Sequence, residues 1–322
     1  MERGEAAAGQ EIAGRRIPRP ALRRWRTVLL LPLLLLLYYV LGALWVHRID
    51  DDPAFGRDLQ LPPGAAASVA IAAALIEREV ERNRWVANDP VFQPGSLLDN
   101  MPSFQQGIIY ALSRFAVELV DQLARVRGSS EIDRDVDEAA GRLKYPGDVW
   151  ILEWSATPVQ PSSESQYRKA RQALVRYNER LAAGEAVFDR RADNLLATLD
   201  RIASDLGSAS AAIAEQIAAG ERLLVDFGAD DLFYANKGRL YAYYLLLRAL
   251  RRDFAEVVAE RNLDAAWGGM LETFEQAAVL EPWVVTNGDL DGALLPNHLA
   301  AQGFLLLRAR TQLREITNIL LK

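Results

Sequence analysis

The sequence predicts an all-α protein, in which a single N-terminal transmembrane helix precedes a helical-bundle body with one long coiled-coil-like helix. Three observations support this prediction. An uncharged apolar stretch lies near the N-terminus, the other apolar residues recur mostly at helical spacing, and charge is unevenly distributed along the 322 residues. Residues 1–26 carry a formal charge of +4, residues 27–47 carry none, and residues 48–322 carry −10, which is typical of a membrane-anchored protein.

The apolar stretch predicts a membrane anchor. Thr27–Val46 contains twenty residues, ten of them Leu and none charged. A helix of this length spans ~30 Å, the thickness of the hydrocarbon layer. Trp25 and Trp45 are placed to act as interfacial anchors. Three arginines precede the stretch, so the positive-inside rule places the N-terminus in the cytoplasm and the acidic body outside. The predicted anchor residues are Arg23, Arg24, Trp25, Arg26 and Trp45. The alternative is a cleaved signal peptide.

The chain divides into four predicted parts. Residues 1–26 form a basic cytoplasmic tail, 27–47 the transmembrane helix, 48–63 a polar linker, and 64–322 an all-α domain. Within the last part, apolar periodicity and Gly/Pro breaks predict helices over 64–85, 103–127, 133–143, 230–261, 263–280 and 297–321. Val149–Trp154 is predicted to be a buried extended segment.

The longest predicted helix begins at Ser163 and has apolar or small residues at steps of three and four from Tyr167 to Ile213. The pattern contains one extra residue between Phe188 and Ala192, as in a coiled-coil stutter. Two interpretations remain open: an intermolecular coiled coil, or a helix packed on its own chain. The residues of this possible partner seam are Leu174, Leu181, Phe188, Leu195, Leu199, Ile202 and Leu206.

Composition excludes several kinds of chemistry. The absence of Cys excludes disulfides, thiol catalysis and Cys-ligated metals, and two His are too few for a His-rich metal site. A body of charge −10 argues against nucleic-acid binding. We expect no cofactor, because the chain contains neither G-x-G-x-x-G nor a P-loop motif.

One segment weakly resembles a calcium loop. Asn287, Asp289 and Asp291 supply oxygen ligands at alternate positions, but the closing position holds His298 instead of Glu. The alternative is a polar turn, with His298 as a capping or packed residue. A tyrosine cluster (Tyr234, Tyr241, Tyr243 and Tyr244) is interpreted as core, with a ligand groove as the alternative.

Five longer motifs resemble the bacterial family known as domain of unknown function 2333. They are Leu97–Pro102, Lys144–Trp150, Arg190–Leu196, Lys237–Ala242 and Leu295–Leu299. The resemblance covers most of residues 27–322 and implies a proteobacterial inner-membrane protein with one N-terminal span. It implies no activity and no site residues.

Together these observations predict a membrane-anchored periplasmic structural or interaction protein. Its expected partners are the lipid bilayer and either a second copy of the chain or another envelope protein. One alternative is a periplasmic enzyme that acts on an envelope substrate through Asp/Glu pairs. Another is a ligand- or calcium-sensing module at 287–298.

Overall fold

The computed structural model describes residues 19–127, 133–151, 160–219, 227–282, 284–288 and 296–322, with the side chains of 19–29, 126, 127 and 227 excepted. Within these ranges the chain is all-α, as predicted, and an isolated bridge between Asn287 and Asn297 is the sole β pairing. The described helices are α1 (Arg19–Val46), α2 (Ala67–Glu77), α3 (Asn100–Arg127), α4 (Arg134–Leu143), α5 (Ser163–Ala182), α6 (Ala192–Ala219), α7 (Phe227–Asp253), α8 (Ala255–Glu260), α9 (Asp264–Ala278) and α10 (His298–Leu320).

Helix α1 covers the predicted transmembrane segment 27–47, except for its last residue. Among the residues that the structure describes, no helix is both long and apolar enough to qualify as a membrane span. The side chains of Arg23, Arg24, Trp25 and Arg26 lie outside the described set.

The prediction of one long helix from Ser163 to Ile213 is wrong. The chain forms two helices, α5 and α6, and the break between them contains Gly184 at φ +74°. The extra residue between Phe188 and Ala192 marks the end of this break, because a turn shifts the phase of an apolar pattern as a stutter does. Helix α5 begins at Ser163, as predicted, and the residue before it caps the helix: the side chain of Ser162 accepts a hydrogen bond from the amide of Ser165.

The other helices follow the predictions in most cases. Helices α3, α4, α9 and α10 begin and end within a few residues of the predicted limits. Two predicted helices are interrupted: 64–85 passes into a π-helical turn at Arg78–Arg82, and 230–261 breaks at Phe254. Of Val149–Trp154, residues 149–151 are described, and Ile151 is 48% exposed, so the predicted burial is wrong at that position.

The centre of the body is the packing of α3 on α7. Gly107 of α3 faces the carbonyl oxygen of Ala235, and Gly238 of α7 faces that of Phe104. A Cβ atom at either glycine would overlap these oxygens, so both glycines are required for the two backbones to approach so closely. Tyr234, Tyr241, Tyr243 and Tyr244 are buried, which confirms that this tyrosine cluster is part of the core.

The remaining helices surround this pair. Helix α2 packs on α5 and α7, α4 on α3 and α5, and α10 on α6, α7 and α9. The buried Asp253 at the end of α7 accepts hydrogen bonds from the amides of Ala67 and Ser68 at 2.6 and 2.8 Å. It therefore caps α2, whose own N-cap residue, Ala66, cannot do so.

Candidate functional site

The segment 48–63, which we call the strap, joins α1 to the body and lies on it through paired charges. Asp51 Oδ2 lies 2.7 Å from Lys237 Nζ, and Asp50 Oδ1 lies 3.4 Å from Arg78 Nη1. The side chains of Lys237 and Arg78 are 1% and 3% exposed. Because a buried cation left without its partner is costly, these two cations hold the strap in place.

Each buried cation has further partners within the body. Lys237 Nζ donates a hydrogen bond to the carbonyl oxygen of Leu280 at 2.7 Å. The Arg78 guanidinium donates to Glu79 Oε1 at 2.8 Å and to the Tyr241 hydroxyl at 2.7 Å. Burial is the largest influence on Glu79 and raises the pKa of its carboxyl, although the Arg78 charge opposes the change. Each cation is therefore held by groups of the body as well as by the carboxylates of the strap.

The strap backbone is also bound. Tyr241 donates its hydroxyl to the carbonyl oxygen of Asp52 at 2.8 Å, and the Arg248 guanidinium donates to the carbonyls of Pro53 and Phe55. In the structure, the segment 48–63, which the sequence predicts to be a polar linker, is therefore bound to the body. The segment has the polar composition of a linker, but its partners come from residues almost 200 positions away in the sequence.

The C-terminal half of α1 also contacts the body. Tyr38 and Tyr39 donate their hydroxyls to the carbonyls of Phe92 and Val91 at 3.2 and 2.6 Å. Gly42 lies against Pro94, where a Cβ atom would come within 2.5 Å of the proline Cγ. Helix α1 is thus attached to the body through both the strap and this loop, and its direction relative to the body is set.

Exposed apolar residues lie where α1 contacts the body. In the loop beside α1, Val91 is 83% and Phe92 56% exposed, and the Phe92 ring packs edge-on against Trp150 with centroids 5.7 Å apart. The predicted anchor residue Trp45 is 90% exposed. We call Val91, Phe92 and Leu97 the apolar loop; it lies beside α1, whose leucines are also exposed.

The predicted partner seam lies in the interior of the single chain. All seven side chains are buried, on helices α5 and α6 or in the turn between them, and they pack against other helices of the same chain. This burial favours packing on the chain itself over an intermolecular coiled coil.

The calcium-loop candidates are only partly described, because Asp289 and Asp291 lie outside the described residues. Asn287 is buried; its amide donates to the Gln216 carbonyl at 3.1 Å, and its oxygen accepts from Asn297 at 3.0 Å. The described part of the chain contains no group of three or more acidic or His side chains placed to hold a metal ion. His298 is packed at the start of α10, where burial lowers its pKa.

One acidic cluster was not predicted. Asp99 precedes α3, while Asp230 and Asp231 lie in the first turns of α7; Ser103 donates to Asp231 at 3.0 Å. Burial, together with the charges of Asp99 and Asp231, raises the pKa of Asp230 to about 6. A cleft of about 640 Å³ adjoins Asp231. The enzymatic alternative would require a pair of carboxylates in such a cleft, and of these three only Asp231 lines it.

Sequence reasoning missed Lys237 and Arg78 as functional candidates. A signal existed for Lys237, because the sequence contains only four Lys and this one shares a helix face with Phe233, Tyr234, Leu240 and Tyr241, three and four positions away. A charge on an apolar face predicts a buried partner, although it does not identify which carboxylate.

Comparison with known proteins agrees with the motifs. The chain matches no curated protein and no solved structure. A family model described as an uncharacterised protein conserved in bacteria matches residues 21–226 and 225–322, which together cover the whole body and most of α1. The chain therefore belongs to this bacterial family, domain of unknown function 2333.

Proposed function

We propose that this protein is a single-pass inner-membrane protein whose helical body stands in the periplasm at a set position against the bilayer. Its role would be structural or in interaction, with the bilayer as one partner and a second copy or another envelope protein as the other. The observation that carries the proposal is the double attachment of α1 to the body. A flexible tether would need neither the buried ion pairs of the strap nor the contacts of Tyr38 and Tyr39.

The exposed residues of α1 support membrane insertion. Leu31 is 73% and Leu44 71% exposed, and leucines between them are similarly uncovered. A contiguous apolar surface of this size is costly in water, and lipid chains would cover it. Ten leucines at roughly −0.5 kcal/mol each favour insertion by about 5 kcal/mol.

The charge distribution supports the orientation. The N-terminal tail, with a charge of +4, matches the cytoplasmic side of the membrane, which retains positive residues. The body, with a charge of −10, matches the opposite side, which receives translocated domains. The N-terminus would then lie in the cytoplasm.

Extraction of membranes tests insertion directly. We expect the full chain to resist carbonate and high salt and to be released only by detergent. A double variant, Leu34→Arg with Leu36→Arg, should become extractable, because each Arg near the bilayer centre costs roughly 3 kcal/mol. Leu34→Ala with Leu36→Ala is the matched control and should remain in the membrane. Release of the unmodified chain by carbonate alone would overturn the proposal.

Cross-linking in membranes tests the interaction role. We expect a product larger than the monomer, either a dimer or a complex with another envelope protein. Only monomer over a range of linker lengths would count against an interaction role and leave a structural one.

A further inference from the structure

We propose that a cleft at the junction of α1 and the body binds the phosphate group of an anionic phospholipid in the periplasmic leaflet. The inference rests on the proposed function, since it requires α1 to be in the membrane. The cleft has a volume of about 340 Å³, which suits a headgroup rather than a whole lipid. It is lined by Gly42, Trp45, Val46, Arg48, Arg82, Asn83 and Arg84.

Three guanidinium groups make the cleft cationic in a body of overall charge −10. Arg48 is exposed and has no carboxylate within ion-pair distance among the described residues. Arg82 contacts Glu77 at 3.1 Å, but Glu77 also pairs with Arg171 at 2.5 Å, so its charge is shared. Since each guanidinium has five donors in a planar fork, N–H groups remain to bind phosphate oxygens.

Of the three arginines, Arg84 has the most contacts within the protein. It contacts Asp89 at 3.1 Å, and its carbonyl oxygen accepts a hydrogen bond from the buried Gln105 at 2.9 Å. Its φ is +63°, a left-handed conformation that non-glycine residues rarely adopt, and it follows the π-helical turn Arg78–Arg82 almost directly. Both backbone features recur at functional sites, because the surrounding structure must impose them. Here these two backbone features direct Arg82 and Arg84 into the same cleft.

The depth of the cleft matches the headgroup layer. Trp45 lies six residues beyond Tyr39, so the cleft stands ~9 Å along the helix from the level at which Tyr39 contacts the apolar loop. With the apolar loop in the acyl region, Trp45 and the arginines reach the interface, where Trp and anionic phosphates are found. The same arginines placed on a soluble protein would have no reason to lie beside an exposed Trp and a leucine-rich helix.

Lipid titration of the detergent-solubilised full chain tests the site, with the thermal unfolding midpoint as the readout. A ligand that binds the folded state raises this midpoint. We expect phosphatidylglycerol to raise the midpoint and phosphatidylcholine to have little effect. The variant Arg48→Gln/Arg82→Gln/Arg84→Gln should bind phosphatidylglycerol roughly tenfold or more weakly, because charge-assisted hydrogen bonds are lost.

A matched control removes equal charge elsewhere. Arg134→Gln/Arg261→Gln/Arg314→Gln changes three exposed arginines outside the cleft and should retain the response. Arg48→Gln alone should weaken binding without disturbing an ion pair of the described structure. An unchanged response in the triple cleft variant, an equal response to phosphatidylcholine, or the same shift with inorganic phosphate alone would overturn the inference. Carbonate extraction of the same proteins separates membrane insertion from lipid binding. A chain that stays in the membrane but does not prefer phosphatidylglycerol contradicts the lipid site and leaves the proposed membrane insertion intact.

Discussion

Among single residues, the attachment of α1 depends most on the charges buried where this helix meets the body. Lys237 and Arg78 are almost fully buried, and each is paired with a carboxylate from the strap. Buried pairs add little net stability compared with apolar residues, but removing one partner is strongly destabilising. Their value here is geometric, because the strap supplies a carboxylate to both cations at once.

The pair of Lys237 and Asp51 gives the first prediction. Lys237→Met should lower the free energy of unfolding by about 2–4 kcal/mol, since Asp51 and the Leu280 carbonyl lose their partner. Adding Asp51→Asn should recover part of this loss. Urea unfolding in detergent measures both effects. Lys169→Met, at an exposed position, should change stability by no more than about 0.5 kcal/mol; equal losses for the two lysines would contradict the burial of Lys237.

Asp230 gives a prediction of pH dependence. Its folded-state pKa, about 6, lies above the ordinary value of ~3.9 for an unfolded chain, so the folded state binds more protons between these values. Stability contributed by protonated Asp230 is present below pH ~4 and is lost as the pH rises through about 6. Asp230→Asn should therefore stabilise the protein at pH 7.5 by about 1 kcal/mol, after allowance for solvent screening, and should have no effect at pH 3.5.

The difference in unfolding free energy between wild type and variant, measured across pH, isolates this group from other titrating carboxyls. Asp200→Asn, at an exposed position, is the control and should show no such trend. A stabilisation by Asp230→Asn that is independent of pH would show that charge is not its cause.

At the scale of elements, the packing of α3 on α7 depends on two glycines. Gly238→Ala should destabilise the protein by about 2 kcal/mol or more, because its methyl group would overlap the Phe104 carbonyl and separate the helices. Gly141→Ala is the matched control: nothing lies within 4 Å of the added atom, and the helix α4 gains about 0.5–1 kcal/mol. Thermal unfolding should therefore move in opposite directions for the two variants, and a neutral Gly238→Ala would contradict the close approach.

The elements also show what the sequence could and could not predict. Apolar spacing predicted α3, α4, α9 and α10 well, because each has one face on the core. Apolar spacing failed to predict the break between α5 and α6. The turn there returns the chain to the same core, so apolar residues continue at steps of three and four positions with one extra residue. Gly184, at positive φ, was the local signal of this turn.

The contacts of the strap could not be predicted, for a different reason. Its Asp and Pro residues have a linker's composition, and a local pattern cannot show that Asp51 meets Lys237 or that Arg248 binds the Phe55 carbonyl. The site therefore depends on contacts distant in sequence, which one sequence does not reveal.

At the scale of the whole molecule, the double attachment of α1 gives the body one orientation relative to the helix. If α1 crosses the bilayer, the apolar loop enters the acyl region and α4 faces the periplasm. This arrangement predicts different solvent access at three positions. The natural absence of Cys means that single cysteines can be introduced without background.

The most direct test is labelling of Ala7→Cys, Phe92→Cys and Gly141→Cys with a membrane-impermeant maleimide in intact spheroplasts. We predict that Gly141→Cys reacts at once, that Ala7→Cys reacts only after the inner membrane is permeabilised, and that Phe92→Cys reacts only when detergent removes the lipid. Immediate labelling of Ala7→Cys with protection of Gly141→Cys would reverse the orientation, and labelling of Phe92→Cys as fast as Gly141→Cys would contradict a body held against the bilayer.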